Sequence, residues 1–171
     1  MGIRYYAYAF DADQTARALA DPRSILSDDP LADAWGLEPG AQISVTTFEQ
    51  SVPATEMLYL DKAWRELQDA YAPTPVGAVA RPAYRMFEGD VTMNGYGWDA
   101  WIRVLTPAEV AVIADDLCSI VDDGAPSGGP DLAPEGPPAG LSPYASHYLD
   151  RAREFMTHLA GNERGMVYMI G

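Results

Sequence analysis

The side chains of this 171-residue chain that could do chemistry are few and scattered. There is one cysteine, Cys118, and two histidines, His147 and His158. A structural zinc needs about four Cys or His ligands, and no close pair of them is present. His147 and His158 fall on nearly one face of a helix, but their spacing puts them roughly 16 Å apart, too far to share an ion. Asp150 and Glu154, at helical spacing, are their expected partners. Cys118 borders an apolar helical stripe and reads as a small hydrophobe rather than a nucleophile.

The paired carboxylates Asp28-Asp29, Asp115-Asp116 and Asp122-Asp123 lack the alternating spacing and the glycine of a calcium loop, so they read as solvated faces and helix ends. Gly124-Ala125-Pro126-Ser127-Gly128-Gly129 has no lysine after it and opens no helix, which excludes a phosphate loop. No catalytic residue, metal ligand or cofactor is therefore expected. Acid–base chemistry by two carboxylates stays open, because their separation in space is not written in the sequence. The aromatic run from Tyr96 to Trp101 carries the most weight. There Asp99, Trp101 and Arg103 share one face of an expected strand, a trio that suits an interface. If a helix covers that face, Trp101 is core instead.

The elements that would position these residues follow from periodicity and punctuation. Residues 3–10 are aromatic-rich and read as a strand. Asp11 with Gln14 is a capping box whose helix must stop before Pro22. Residues 23–40 read as loop with a helical turn or two around Leu31 to Trp35, and residues 42–50 as a strand ended by Pro53. Leu60, Ala63, Trp64, Leu67 and Tyr71 recur at helical spacing, which predicts a helix over 60–72 with Asp61 as N-cap. Residues 96–104 read as a second aromatic strand, with Tyr96, Trp98, Ala100, Ile102 and Val104 on the face opposite Trp101.

Thr106-Pro107-Ala108-Glu109 combines an N-cap, a proline at the first helical position and a capping-box glutamate, so a helix runs from there to about Asp122. Residues 124–143 hold five Gly and six Pro and read as a flexible loop. Ser142 and Pro143 open a last helix that stops at Gly161, and residues 165–170 close the chain as a strand. The expected architecture is α+β: a single compact domain over 1–171, with a mixed or mostly antiparallel sheet packed by amphipathic helices.

Composition narrows the function classes. With 25 acidic against 11 basic residues, the formal net charge of −14 opposes phosphate contacts, so nucleic acid is not an expected partner. No apolar run approaches the ~20 residues of a spanning helix, and Asp11 and Asp13 cut short any signal-peptide pattern, so the cytoplasm and no membrane are expected. The preference for Arg over Lys, with abundant Ala, Gly, Pro and Asp, suggests a GC-rich bacterial source.

Several motifs, taken in order, look like the YfbM-like family, a bacterial domain of unknown function. They are Leu60-Asp61-Lys62-Ala63-Trp64, Leu105-Thr106-Pro107-Ala108-Glu109-Val110, the helix with Tyr148-Leu149, and Met166-Val167-Tyr168-Met169-Ile170. Met1-Gly2 followed by Tyr5-Tyr6 is also similar, whereas residues 124–143 depart from the pattern. The resemblance implies a compact α+β fold and no activity. Two functional readings follow from the residues. The first is a non-enzymatic protein-binding or regulatory domain, in an immunity-like version with its acidic face toward a basic partner. The alternative is a small carboxylate-based hydrolase or small-molecule-binding protein using Arg81, Arg85 or Arg103 in a cleft between sheet and helices.

Overall fold

The computed structural model describes residues 2–40, 50–74, 78–119 and 140–171. The strand expected over 42–50 lies outside the described residues except for Gln50, and the loop expected over 124–143 does so up to residue 139.

Strand β1 (Tyr5–Phe10) pairs antiparallel with β2 (Met57–Asp61) on one side and with β6 (Gly165–Ile170) on the other, and β6 pairs antiparallel with β5 (Trp101–Leu105). The sheet order is β2-β1-β6-β5, so the first and last strands of the chain form its centre. Both are buried nearly throughout, as expected of strands covered on two faces. The helices are α1 (Thr15–Ala20), α2 (Pro30–Asp33), α3 (Ala63–Tyr71), α4 (Pro107–Ser119) and α5 (Pro143–Gly161). The expected α+β class and antiparallel sheet are both present.

One face of the sheet carries Tyr5, Tyr168 and Leu105, which join Ile113 and Leu117 of α4 and Leu149, Met156 and Leu159 of α5 in the main core. On the other face Phe10 and Val167, flanked by Ile102 and Val104, pack with Ala18, Ile25 and Leu26 of the N-terminal segment. The caps read from the sequence are made. The Asp11 amide donates to Gln14 Oε1 at 3.2 Å, the Thr106 amide and hydroxyl both donate to Glu109 Oε2 at 2.9 Å, and Ser142 accepts from the Ala145 amide at 3.1 Å.

Residues 57–61 differ from expectation. Met57 to Asp61 is a strand, and α3 begins only at Ala63 with Lys62 as its N-cap residue. Helical periodicity from Leu60 onward hides this strand, because Leu60 serves the sheet and Ala63, Trp64 and Leu67 serve the helix, all within one core. Asp61 is no cap. It sits at the strand end in the left-handed region, φ 45°, where Asp is tolerated better than most side chains. Its carboxylate accepts from Arg4 Nε and Tyr59 Oη, each at 2.8 Å, and from Tyr144 Oη at 2.5 Å. Three separate segments meet there. Burial, reinforced by the hydrogen bond to Asp61, pushes the Tyr144 hydroxyl up to about 12.

Asp33 is the buried charged residue of the described core, at 1% exposure. Its carboxylate accepts from Tyr8 Oη at 3.0 Å, from the Ser51 amide at 2.5 Å and from Ser51 Oγ at 2.8 Å. The last turn of α2 is thereby tied to β1 and to the segment that leads to β2.

Gly165 marks the tightest place in the sheet. A Cβ there would stand 2.6 Å from Phe10 Cε2 and 2.8 Å from the Leu105 carbonyl oxygen. Gly165→Ala should therefore lower stability by about 1–3 kcal/mol through overpacking, read as a lower midpoint in chemical denaturation. An unchanged midpoint would mean that the two neighbouring strands give way freely.

Candidate functional site

Two surface features combine exposed chemistry with a defined scaffold. The first is a hairpin inserted before β5, made of β3 (Thr92–Asn94) and β4 (Gly97–Asp99) and forming its own two-stranded sheet. Asn94 pairs with Gly97, so Gly95 and Tyr96 are the whole turn. Gly95 adopts φ 54°, the positive value required at the first central position of a II′ turn, whose twist matches that of a hairpin. Tyr96 is held at the tip, fully exposed, while Met93 and Trp98 face each other across the strands at 68% and 41% exposure. Asp90 and Asp99 flank them, both exposed.

The second feature is an open groove of about 620 Å³ between the N-terminal part of α4, β5 and the turn at Pro82–Met86. Buried tyrosines hold that turn in place. Tyr5 Oη donates to the Met86 carbonyl at 2.9 Å, and Tyr168 Oη donates to the carbonyls of Arg85 and Glu88 at 3.0 and 2.5 Å. At the other end of the turn Arg81 makes a two-pronged contact with Asp116 of α4, at 3.1 and 2.8 Å, and Asp116 also accepts from the Ala83 amide at 2.7 Å. Burial alone would raise the Asp116 pKa, but the Arg81 and Ala83 hydrogen bonds outweigh it and hold the carboxyl below its ordinary value. Inside the groove Arg85 pairs with Glu109 Oε1 at 3.2 Å, and Arg103 pairs with Glu88. Burial would lower the Arg103 pKa, yet the neighbouring Tyr168 and Glu88 raise it overall, so its charge is fixed.

The trio read from the sequence is distributed between these features. Trp101 and Arg103 alternate with Ile102 on β5 and share the face that pairs across to Ile170 and Tyr168. Trp101 is half-buried against the main core, with Gly89 backed onto its ring so closely that a Cβ would lie 2.6 Å from Cδ1. Asp99 belongs to the hairpin instead, where its carboxylate accepts from the side-chain amide of Asn94, Nδ2. The expected continuous strand over 96–104 is thus two strands, β4 and β5, with Ala100 between them. The signal that marks the turn, Gly95 between the strand residues Met93 and Trp98, was present in the sequence.

Other candidates have ordinary surroundings. Cys118 is exposed, with its sulfur 3.7 Å from Thr157 Oγ1. His147 is exposed and packs edge-on against Tyr148, and Asp150 pairs with Arg153 rather than with His147. Among the described residues no group of His, Cys, Asp and Glu is arranged to hold a metal, and no helix is long and apolar enough to cross a membrane. The chain matches no family model, no curated protein and no solved structure.

Proposed function

We propose that this protein is a non-enzymatic recognition domain that binds another, basic protein through the β3–β4 hairpin. The observation that carries this reading is the trio Met93, Tyr96 and Trp98, three large apolar side chains exposed on a hairpin closed by a two-residue turn. Tyr and Trp bury much area with few rotatable bonds, which is why they serve as anchors at interfaces. The acidic flanks Asp90 and Asp99, and the net charge of −14, favour a partner of opposite sign and speed its encounter. An immunity-like role, in which this domain covers a basic toxin or enzyme, is the specific form of the reading. Kinship with the YfbM-like family, carried by the order of its motifs, belongs to the same proposal and supplies no activity of its own.

The test is affinity capture from the native organism with wild-type protein and Trp98→Ala in parallel, followed by titration of the purified partner. The wild type should retain a basic protein whose affinity falls with added salt. Trp98→Ala should weaken binding by about 2 kcal/mol, near thirtyfold, with thermal stability unchanged. Equal capture by both proteins would overturn the assignment to the hairpin.

A further inference from the structure

The groove beside α4 offers a different chemistry from the hairpin, and it is independent of the reading above. Its four charged residues are not equivalent. Arg103 is mostly covered and pairs with Glu88, and Arg81, outside the groove, is fixed by Asp116. Arg85 stands apart: its side chain is 48% exposed, and it pairs with Glu109 Oε1 at 3.2 Å. Glu109 is itself held, because its Oε2 accepts from both the amide and the hydroxyl of Thr106. Its Oε1 is thereby presented to Arg85, and Glu109 acts as a positioning residue. The carbonyl of Arg85 is held by Tyr168, which fixes the backbone from which the Arg85 side chain leaves.

We propose that this groove binds a small monocarboxylate with an apolar body, its carboxylate taken by the side of the Arg85 guanidinium that Glu109 leaves open. The planar fork of Arg matches a carboxylate in a way that a point charge does not. Ala80, Pro82 and Val112 line the groove and supply the apolar wall. The volume of about 620 Å³ lies within the range of small-molecule sites. Charge limits the ligand further. Two arginines against two glutamates leave the groove neutral inside a strongly acidic protein, so a phosphate dianion meets a repelling field that a monoanion meets only once. The carboxylate can come from a free organic acid or from the C-terminus of a peptide.

Three probes separate these cases: 3-phenylpropionate, its neutral amide, and N-acetylphenylalanine, each titrated into the full-length protein while backbone amide shifts of Arg103, Ala108 and Val112 are followed by NMR. For ligands of about a dozen heavy atoms a Kd on the order of 1 mM is expected. Both acids should bind at least about tenfold more tightly than the amide. Tighter binding of N-acetylphenylalanine than of 3-phenylpropionate would identify a peptide C-terminus as the source, and the reverse a free acid. Arg85→Gln should weaken both acids about tenfold and leave the amide unchanged, which also shows that the groove is intact. Trp98→Ala should bind all three as the wild type does. The proposal is overturned if acid and amide bind alike, if Arg85→Gln binds the acids as tightly as wild type, or if no probe gives saturable shifts at these residues.

Discussion

Replacing Asp33 by Ala should lower the free energy of unfolding by about 3 kcal/mol or more, and the melting temperature by about 6–12 °C for a chain of this length. The carboxylate, buried at 1% exposure, accepts from Tyr8 Oη, the Ser51 amide and Ser51 Oγ. The buried Tyr8 hydroxyl left without a partner costs about 1–3 kcal/mol, and loss of the charge-assisted hydrogen bonds from Ser51 adds to it. The same group gives the protein an acid-sensitive contribution. Burial pushes the Asp33 carboxyl up, but hydrogen bonds from Ser27, Ser51 and Tyr8 more than offset this and hold it below its ordinary value. A depressed pKa in the folded state means that the stabilisation is complete above the unfolded value of about 4 and is lost as the pH falls through the folded one. Wild type and Asp33→Asn compared by denaturant titration should therefore differ by a constant amount from pH 7 down to about pH 4, and the gap should narrow below that. A gap that stays the same in acid would mean that the carboxylate charge contributes nothing.

Trp101→Ala should cost about 3 kcal/mol of stability, whereas Trp98→Ala should cost almost none. The two tryptophans lie three positions apart, and the fold gives them opposite work. Trp101 packs on the main core with the Gly89 backbone flat against its ring, so truncation opens a cavity that a glycine cannot close. Trp98 projects from a hairpin that shares no ladder with the main sheet, so its removal leaves the core untouched. In partner binding the ranking should invert: Trp98→Ala loses affinity, and Trp101→Ala retains it at temperatures where it stays folded. Thermal melts and titrations on the two variants give four numbers, and a Trp101→Ala protein with wild-type stability but no binding would return the interface to β5.

Much of the framework follows from local chemistry that the sequence states outright. The Thr106 to Glu109 cap, the Ser142-Pro143 start of α5 and the capping box at Asp11 each close hydrogen bonds within a few residues, so residue type and spacing suffice to place them. The terminal strands are equally legible, since aromatic runs such as Tyr5 to Phe10 suit a pleated surface covered on both sides. The resulting α+β class was readable for that reason.

What the sequence left open depends on contacts across long separations. Met57 to Leu60 reads as the approach to a helix until β1, some fifty residues earlier in the chain, offers it a partner, and the pairing overrides the helical period. Asp33 looks like one more solvated carboxylate until Tyr8 and Ser51 close over it. Arg85 and Glu109 meet only in the fold, where Tyr168, near the far end of the chain, helps hold the turn that carries Arg85. Alternation along residues 96–104 gives Trp98 and Trp101 their two faces but says nothing of which is covered. That was decided by the II′ turn at Gly95, which folds Trp98 out into a hairpin, and by Gly89, which lies down on Trp101.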